Sequence, residues 1–196
     1  MSTRHNANIF STLLVLGLLV IFSVSAYAAE TYKLDPAHTS VVYRVKYSGV
    51  TFVYGRFNGP TGTFVYDEAS PAKSSIEMQV DAKNIDTAVE KRDNDLKSPD
   101  FFNAAEYPIV TFKSTSVKKI DSDTYQVTGN LTLLGKTRKL TVNAKQTGSG
   151  KDPWGNFGRG FETSFTIKRS DFGMNFMLGG VSDEVGLTVS VSGIRQ

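Results

Sequence analysis

Residues 89–108, VEKRDNDLKSPDFFNAAEYP, form the one segment of this chain that is typical of a helix. Residues 90–97 within it carry mixed charges and good helix formers, and Leu96 is their only apolar side chain. A helix that is polar almost all round lies on a surface and cannot be a core element. It should end at Ser98, because the residue before Pro99 is pushed out of the helical region. The segment therefore predicts a short surface helix.

Two adjacent phenylalanines, Phe101 and Phe102, directly follow this polar helix. Each ring can bury about 150–250 Å² and needs an apolar environment. Nothing beside the pair indicates a strand, whereas the rest of the chain is dominated by strand patterns. We therefore expect residues 89–108 to cross one end of an all-β container and to place both rings in its mouth.

Apolar and polar side chains alternate at period two through most of the chain from Glu30 onward. In residues 75–83, for example, Ile76, Met78 and Val80 face one way, and charged or amide side chains face the other. The pattern indicates about eight long strands, most of them joined by short turns rich in Gly, Asn and Asp. The other predicted strands are residues 40–47, 52–57, 63–66, 109–117, 124–134, 139–147, 158–168 and 184–194.

The lengths of these strands favour a closed barrel over a two-sheet sandwich, which would show the same alternation. Strands of about ten residues exceed the usual five or six, as expected of an eight-stranded barrel that encloses a small ligand. Long strands with one apolar and one charged face suit an antiparallel sheet of this kind. We predict an all-β domain, a single antiparallel eight-stranded barrel with the helical crossing segment at one mouth. The sandwich is the alternative.

The first 28 residues have the pattern of a cleaved signal peptide. Arg4 precedes an uncharged apolar run at residues 13–24, and Ala26 and Ala28 place small residues where a signal peptidase reads them. The run is too short to span a bilayer as a helix. We predict cleavage after Ala28 and a single exported domain over residues 29–196.

The composition argues against several classes of function. Cysteine is absent, which excludes disulfides, thiolate chemistry and cysteine metal sites. Export without disulfides favours a bacterial periplasm. The net charge is only +3 and basic residues do not cluster, so no nucleic-acid partner is indicated.

Apolar side chains on the inward strand faces are candidates for lining a ligand cavity, together with the phenylalanine pair and the glycine-flanked residues 172–180. In that last run, Met and Phe form the adaptable surface that accommodates a flexible ligand. The alternative is that all of these side chains fill a solid core. The predicted lining residues are Val41, Tyr43, Val45, Tyr54, Phe57, Ile76, Met78, Val80, Phe101, Phe102, Phe112, Phe165, Phe172, Met174, Phe176 and Met177.

Six short segments, taken in order, carry a resemblance to a known family. They are residues 32–40 (YKLDPAHTS), 49–57 (GVTFVYGRF), 91–102 (KRDNDLKSPDFF), 107–114 (YPIVTFKS), 129–137 (GNLTLLGKT) and 167–173 (IKRSDFG). Together they resemble the YceI-like family of exported, lipocalin-like barrels that bind polyisoprenoid lipids. The resemblance implies a lipid inside the barrel and carries over no enzymatic activity. One departure is Tyr47, where many members have a second histidine.

Four polar residues that adjoin apolar ones are candidates for holding a lipid headgroup, namely His38, Arg92, Arg169 and Asp171. An arginine fork suits a phosphate or a quinone oxygen. The alternative is that Arg92, Arg169 and Asp171 tie loops together through hydrogen bonds, and that His38 caps a strand.

The inventory of reactive residues does not favour catalysis. His38 is the only histidine after residue 28, and the chain has no Gly-x-Ser-x-Gly elbow and no phosphate-binding or dinucleotide-binding glycine loop. Without cysteine and with one histidine, the usual zinc ligands are missing. We predict a protein that is not an enzyme and that needs no metal or cofactor.

These observations predict a periplasmic carrier that holds a long polyisoprenoid, of the isoprenoid-quinone or polyprenyl-phosphate type, inside the barrel. Residues 89–108 and 172–180 are predicted to open as a lid, and transient membrane contact suits such a carrier. The oligomeric state is left open. One alternative is an enzyme that acts on an isoprenoid or a small apolar substrate with His38 as its acid–base group. Another is a stress-related exported protein with a solid barrel core.

Overall fold

The computed structural model of the protein describes residues 29–196. The predicted signal peptide, residues 1–28, and its cleavage site lie outside the described residues. Within residues 29–196, no helix combines the length and the apolar character that crossing a membrane requires.

Strands dominate the described part of the chain, and a single α-helix interrupts them. Short 3-10 turns lie at Pro71–Lys73, Ala82–Asn84 and Arg169–Phe172. The strands are β1 (Glu30–Leu34), β2 (Ser40–Tyr47), β3 (Thr51–Phe57), β4 (Thr61–Tyr66), β5 (Ser75–Asp81), β6 (Ile85–Asp86), β7 (Ile109–Lys119), β8 (Thr124–Leu133), β9 (Lys136–Lys151), β10 (Phe157–Lys168) and β11 (Val181–Arg195). The helix, α1, spans Glu90–Lys97.

Eight of the strands form a closed antiparallel ring in the order β1, β4, β5, β7, β8, β9, β10, β11. The ring closes where β1 pairs with the end of β11, with Lys33 opposite Ile194. The remaining neighbours around the ring are also antiparallel. The predicted eight-stranded barrel is confirmed, and the two-sheet sandwich is wrong.

The other three strands extend this ring on one side. β11 is 15 residues long, and its last residues pair with β1 while its earlier residues pair with β2, where Val189 lies opposite Val41. β3 pairs with β2, and the two-residue β6 pairs with β3. Because β1 and β2 follow each other along β11, β2 and β3 form the barrel wall near the start of β11.

The hairpin between β2 and β3 turns tightly and reaches the loop that precedes β11. Ser48 and Gly49 both have positive φ, 49° and 67°, as a two-residue type I′ turn requires. The Val50 amide donates to the Tyr47 carbonyl oxygen at 3.0 Å, and the Ser48 amide donates to the Gly180 carbonyl oxygen at 2.7 Å. The hairpin tip therefore lies beside residues 173–180.

Local hydrogen bonds and short strands account for the differences from the predicted strand bounds. The strand predicted at 75–83 ends at Asp81, because its carboxylate accepts from the Lys83 amide at 2.8 Å and starts a 3-10 turn. The strand predicted at 139–147 is part of the 16-residue β9. β1 and β6 were not predicted, because strands of five and two residues show little alternation.

One end of the barrel is closed by aromatic side chains packed around the buried Arg159. Its guanidinium lies 3.8 Å from the Tyr66 ring centroid, and its Nε donates to the Tyr32 hydroxyl at 3.2 Å. The Tyr66 and Tyr125 hydroxyl oxygens are 2.9 Å apart, and Phe64 stacks on Tyr32 with ring centroids 4.7 Å apart. These contacts plug the barrel at this end.

The helix α1 lies at the other end, and none of its residues is buried, which confirms the predicted surface helix. It ends at Lys97, immediately before Ser98, which has an extended conformation. Leu96 is its contact with the core and packs against the cluster around Phe57. The Asp93 carboxylate accepts from the Thr87 amide at 2.9 Å and fixes the helix to the segment before it.

Candidate functional site

Two adjoining cavities occupy the interior between the plugged end and α1. The inner cavity, of about 200 Å³, lies next to the plug, and the outer cavity, of about 720 Å³, lies beneath α1 and residues 173–180. Phe57, Val110, Leu131 and Leu187 border both cavities and mark the boundary between them. The outer cavity alone falls within the range of about 300–1,000 Å³ that is usual for ligand sites.

The inner cavity is lined mainly by aliphatic and aromatic side chains from the inward faces of the ring strands. On β11, Val189 and Val191 face this cavity, while on β10 Phe161, Thr163 and Phe165 do so. The Thr163 hydroxyl is buried and has no hydrogen-bond partner among the described residues. Such a lining suits a hydrocarbon chain, because apolar surface gains by leaving water.

The outer cavity has apolar walls and a polar rim. β2 and β3 supply Tyr43, Val45 and Val53, while the segment after α1 and the loop before β11 supply Phe101 and Met174. The polar side chains that border it are Thr87, Arg92, Asp95, Ser98, Asp100 and Arg169. A ligand with an apolar body and one polar end fits this distribution.

Two edge-to-face aromatic contacts join the parts of the mouth. The rings of Phe101 and Phe176 meet with centroids 5.4 Å apart, which connects the crossing segment to residues 173–180. Phe102 meets Phe57 with the same centroid separation, so its ring lies beside the boundary between the cavities. Movement of Phe101 or Phe102 therefore changes the size of the opening.

Arg169 holds the loop at the mouth through backbone carbonyls. It is 3% exposed, and its Nε and Nη2 donate to the carbonyl oxygens of Ser182 and Val181, both at 3.0 Å. Its Nη1 donates to the carbonyl oxygens of Met174 at 3.0 Å and Phe176 at 2.7 Å. Burial lowers the pKa of Arg169, an effect that the neighbouring Asp183 carboxylate opposes.

Tyr43 borders the outer cavity, and its hydroxyl is buried against Gly55. The side chain is 8% exposed, and its hydroxyl has no hydrogen-bond partner within residues 29–196. Its ring lies over Gly55, the residue opposite it on β3, where a Cβ would collide with the hydroxyl oxygen. Burial raises the pKa of Tyr43, and the nearby Asp93 carboxylate raises it further, so this hydroxyl is a neutral donor.

A profile of the YceI-like domain matches residues 32–193. The chain belongs to the YceI-like family. It is 42% identical over 185 residues to a UPF0312 protein of Pseudomonas aeruginosa, with 93% of this chain and 96% of the relative covered. It is also 42% identical over 179 residues to Protein YceI of Escherichia coli, with 90% and 93% covered.

Solved structures share the fold of this YceI-like protein. BcnA of Burkholderia cenocepacia superposes with a TM-score of 0.74 at 26% identity, over 81% of this chain and 98% of that one. A Campylobacter jejuni YceI protein gives 0.69 at 29% identity, over 75% and 87%. A Saccharophagus degradans domain, described as polyisoprenoid binding and implicated in plant cell wall breakdown, gives 0.64 at 13% identity, over 84% and 98%.

Most of the predicted lining residues border one of the two cavities in this YceI-like barrel. Their contact with a ligand stays a prediction. Those on the inner cavity are Val41, Phe57, Ile76, Met78, Val80, Phe112 and Phe165. Those on the outer cavity are Tyr43, Val45, Phe57, Phe101, Phe102, Met174, Phe176 and Met177.

Two of the predicted lining residues border neither cavity. Tyr54 is 56% exposed on the outer face of β3, so its assignment to the interior is wrong. It is three residues from Phe57, and an odd separation places side chains on opposite faces of a regular strand; Val53 takes the inward position instead. Phe172 is buried in a separate cluster with Leu133 and Met174.

Two of the four headgroup candidates lie away from the cavities of the YceI-like barrel. His38 is exposed before β2, and its Nδ1 is 2.6 Å from the Asp35 carboxylate. It is nine residues from Tyr47 at the mouth, about 30 Å along an extended strand. Asp171 is exposed beside its 3-10 turn and borders neither cavity. The assignment of His38 to the mouth is therefore wrong, whereas a headgroup contact by Asp171 stays a prediction.

The two arginine candidates do border the outer cavity, but protein oxygens occupy donors of both. Arg92 Nε donates to the Thr87 hydroxyl at 2.8 Å, and its Nη2 donates to the Thr87 carbonyl oxygen at 2.9 Å. Arg169 donates to four carbonyl oxygens, as described above. These contacts agree with the interpretation that both residues tie loops together.

Sequence reasoning missed the lining residues of β8 to β11 except Phe165, and it missed the buried Arg159. For β11 the signal was available, because Val185, Leu187, Val189 and Val191 alternate strictly with other residues. For Arg159, the neighbouring glycines gave no indication that a charged side chain is buried there.

Proposed function

We propose that this YceI-like protein binds a long polyisoprenoid lipid and carries it through the periplasm without changing it chemically. The lipid is of the isoprenoid-quinone or polyprenyl-phosphate type. Its tail extends through the outer cavity so that its far end lies in the inner one, and its polar end lies at the outer rim. The observation that carries this proposal is the pair of adjoining cavities, whose walls are mainly apolar, with arginine and aspartate side chains bordering the outer one.

The energetics of a buried tail are consistent with a carrier. Each methylene removed from water contributes about 0.8 kcal/mol, which makes transfer of a free lipid through water very slow. In a membrane, however, the tail is already out of water, so exchange between bilayer and barrel is close to balance. A carrier needs this balance, because it must both load and release.

The relatives and the N-terminal segment support the same proposal. The Saccharophagus degradans domain that shares this fold is described as polyisoprenoid binding. The charged start, apolar run and small residues of residues 1–28 support export, and the absence of cysteine agrees with a periplasmic location.

The geometry argues against both alternatives. A solid core does not fit an interior with cavities of about 200 and 720 Å³. An enzyme that uses His38 needs its imidazole at the bound ligand, but His38 borders neither cavity. Within residues 29–196, no cluster of three or more acidic or histidine side chains is placed to hold a metal ion.

Exposed apolar side chains around the mouth support transient contact with a membrane. We name this set the apolar rim: Tyr47, Val50, Phe52, Phe176, Met177 and Leu178. Val50, at the tip of the β2–β3 hairpin, is 83% exposed. Several exposed apolar side chains at one end of a barrel favour an interaction site there, and at the mouth of a lipid cavity a bilayer is the partner that fits them.

Extraction of the purified protein tests the proposed function. Protein isolated from the periplasm is extracted with organic solvent, and the extract is analysed by mass spectrometry beside an unrelated periplasmic protein from the same cells. We expect a polyprenyl lipid close to one per protein and enriched over the control. An extract without lipid, from a protein that also takes up no polyprenol from vesicles, would contradict the proposal.

A further inference from the structure

The fold leaves the Tyr43 hydroxyl without a partner in an otherwise apolar wall. Most buried polar side-chain atoms of native proteins are hydrogen-bonded, so an orphan hydroxyl needs an explanation. This one is buried, borders the outer cavity and contacts no acceptor within residues 29–196. Its position suggests an acceptor that comes from the ligand.

The orientation of this hydroxyl is built into the β2–β3 pair. Tyr43 lies directly opposite Gly55, and any larger residue there would collide with the ring. Phe57 packs against the same ring with centroids 5.9 Å apart. The ring is therefore held from two sides, and its hydroxyl is fixed over Gly55 beside the outer cavity.

The charges around the outer cavity favour a neutral acceptor. Arg169 donates to four backbone carbonyls, and Arg92 donates twice to Thr87. The carboxylates of Asp95 and Asp100 border the same cavity. The two carboxylates offset the two arginine charges, and protein oxygens use most of the arginine donors, so the cavity gives a phosphate little net attraction. A neutral oxygen needs no opposite charge.

We propose that Tyr43 is a specificity-determining residue, whose hydroxyl donates a hydrogen bond to a neutral oxygen of the bound lipid. The lipid class is a prenyl chain that ends in a hydroxyl or carbonyl oxygen, in preference to a prenyl phosphate. This inference rests on the proposed function and selects between the two headgroup types that it includes.

This assignment is tested with three lipids of one chain length. They are offered to the delipidated domain, residues 29–196. The probes are all-trans nonaprenol, nonaprenyl monophosphate and the corresponding hydrocarbon without oxygen, each offered in phosphatidylcholine vesicles. We expect Tyr43→Phe to weaken nonaprenol binding about three- to tenfold, since it removes one hydrogen bond. Binding of the hydrocarbon should not change, and the wild type should bind nonaprenol more tightly than the monophosphate.

The stability of the variants separates a ligand-binding hydroxyl from a structural one. Because the Tyr43 hydroxyl has no protein partner, Tyr43→Phe should leave the Tm of the lipid-free protein unchanged or raise it. Tyr32→Phe is the matched control: its hydroxyl donates to Glu30 and accepts from Arg159. That change should lower Tm and leave the preference among the three lipids intact.

The outcomes distinguish failure of this inference from failure of the proposed function. If the wild type binds none of the three lipids, the proposed function fails. If it binds the hydrocarbon and nonaprenol, but Tyr43→Phe binds nonaprenol equally well, only the role of Tyr43 fails. If the wild type binds the monophosphate as tightly as nonaprenol or more tightly, the neutral headgroup is overturned.

Discussion

At the scale of single residues, the Arg169 guanidinium joins the loop before β11 to the start of β11. Its acceptors are carbonyl oxygens of the loop before β11, at Met174 and Phe176, and of the start of β11, at Val181 and Ser182. The side chain is almost fully buried, so water cannot replace these bonds without local unfolding. Arg169 thus stabilises the loop that borders the outer cavity.

We expect Arg169→Ala to lower the free energy of unfolding by roughly 3 kcal/mol or more, because it leaves several buried carbonyls without a donor. Chemical denaturation measures this change. Arg56→Ala is the control, since its ion pair with Asp86 is exposed and such pairs contribute about 0–1 kcal/mol. A stable Arg169→Ala variant that has lost its lipid would contradict the tie and support a headgroup contact.

Asp183 makes the attachment of the same 3-10 turn dependent on pH. Its carboxylate accepts from the Ser170 amide at 2.9 Å and from the Ser170 hydroxyl at 2.8 Å. The backbone hydrogen bond from Ser170 is the main reason that the pKa of Asp183 lies below its usual value. A carboxyl with a lowered pKa stabilises the fold above its unfolded pKa of about 3.9, and this contribution is lost as the pH falls through the folded value.

We therefore expect Asp183→Asn to be less stable than the wild type by a constant amount above about pH 5. The difference should shrink as the pH falls below about 4. Thermal unfolding from pH 7 to pH 2.5 measures it, with Asp171→Asn as a control for removal of a nearby exposed charge. A difference that is the same at every pH would contradict a role for the ionised carboxylate.

At the scale of elements, the crossing segment and the loop before β11 meet through one aromatic pair. Phe101 and Phe176 are in edge-to-face contact, and both border the outer cavity. No backbone hydrogen bond between residues 89–108 and 173–180 is found in the described part of the chain. Side-chain contact alone between the two segments suits a lid that opens.

Cross-linking these two segments should block lipid exchange. The chain has no native cysteine, so Phe101→Cys with Phe176→Cys gives a unique pair for a short bis-maleimide. We expect the cross-linked protein to retain bound lipid and to stop transfer between vesicles, while the doubly substituted protein without the linker still exchanges. Undiminished transfer after complete cross-linking would contradict the lid.

The two ends of the barrel carry exposed apolar side chains that allow a direct comparison of membrane contact. Val50 lies at the mouth and is 83% exposed, and Trp154, in the β9–β10 hairpin at the plugged end, is 81% exposed. We expect Val50→Asp to weaken vesicle binding about tenfold or more, because it places a charge in the apolar rim. Trp154→Asp should have little effect on vesicle binding in the same flotation assay. A larger loss of binding in Trp154→Asp than in Val50→Asp would place the membrane contact at the plugged end.

Local pattern predicted the elements well and their partners less well. The polar residues before Ser98 gave the helix, and strict alternation gave the inward faces of β2 and β5. The sequence did not predict that the short β1 closes the ring against β11, because that pairing joins distant segments. Tyr54 was assigned to the interior together with Phe57, although residues three apart on a regular strand point to opposite faces.

The same difference between local pattern and tertiary contact applies to the candidate site. The hydrophobic lining follows from alternation and was largely predictable, whereas the roles of the polar residues depend on tertiary contacts. Nothing local distinguishes Arg169, which is bonded to four carbonyls, from a free headgroup ligand. The orphan hydroxyl of Tyr43 likewise becomes visible only when its neighbours are known.

At the scale of the whole molecule, the barrel combines a rigid closed end with an openable one. The aromatic plug around Arg159 closes one end, and the mouth is covered by a polar helix and a loop that meet through side chains. Between them the two cavities share a boundary at Phe57. A ligand that enters at the mouth can extend only toward the plug.

The central claim, a lipid tail in the inner cavity, is tested most directly by narrowing that cavity from its deep end. Ala144 borders the inner cavity on β9, and its neighbour Asn143 faces outward on the same strand. Lipid content per protein, measured by extraction and mass spectrometry, is compared for folded Ala144→Trp and Asn143→Trp. We predict that Asn143→Trp keeps the wild-type lipid and that Ala144→Trp loses it or keeps only shorter chains; equal lipid of equal length in both variants would contradict the claim.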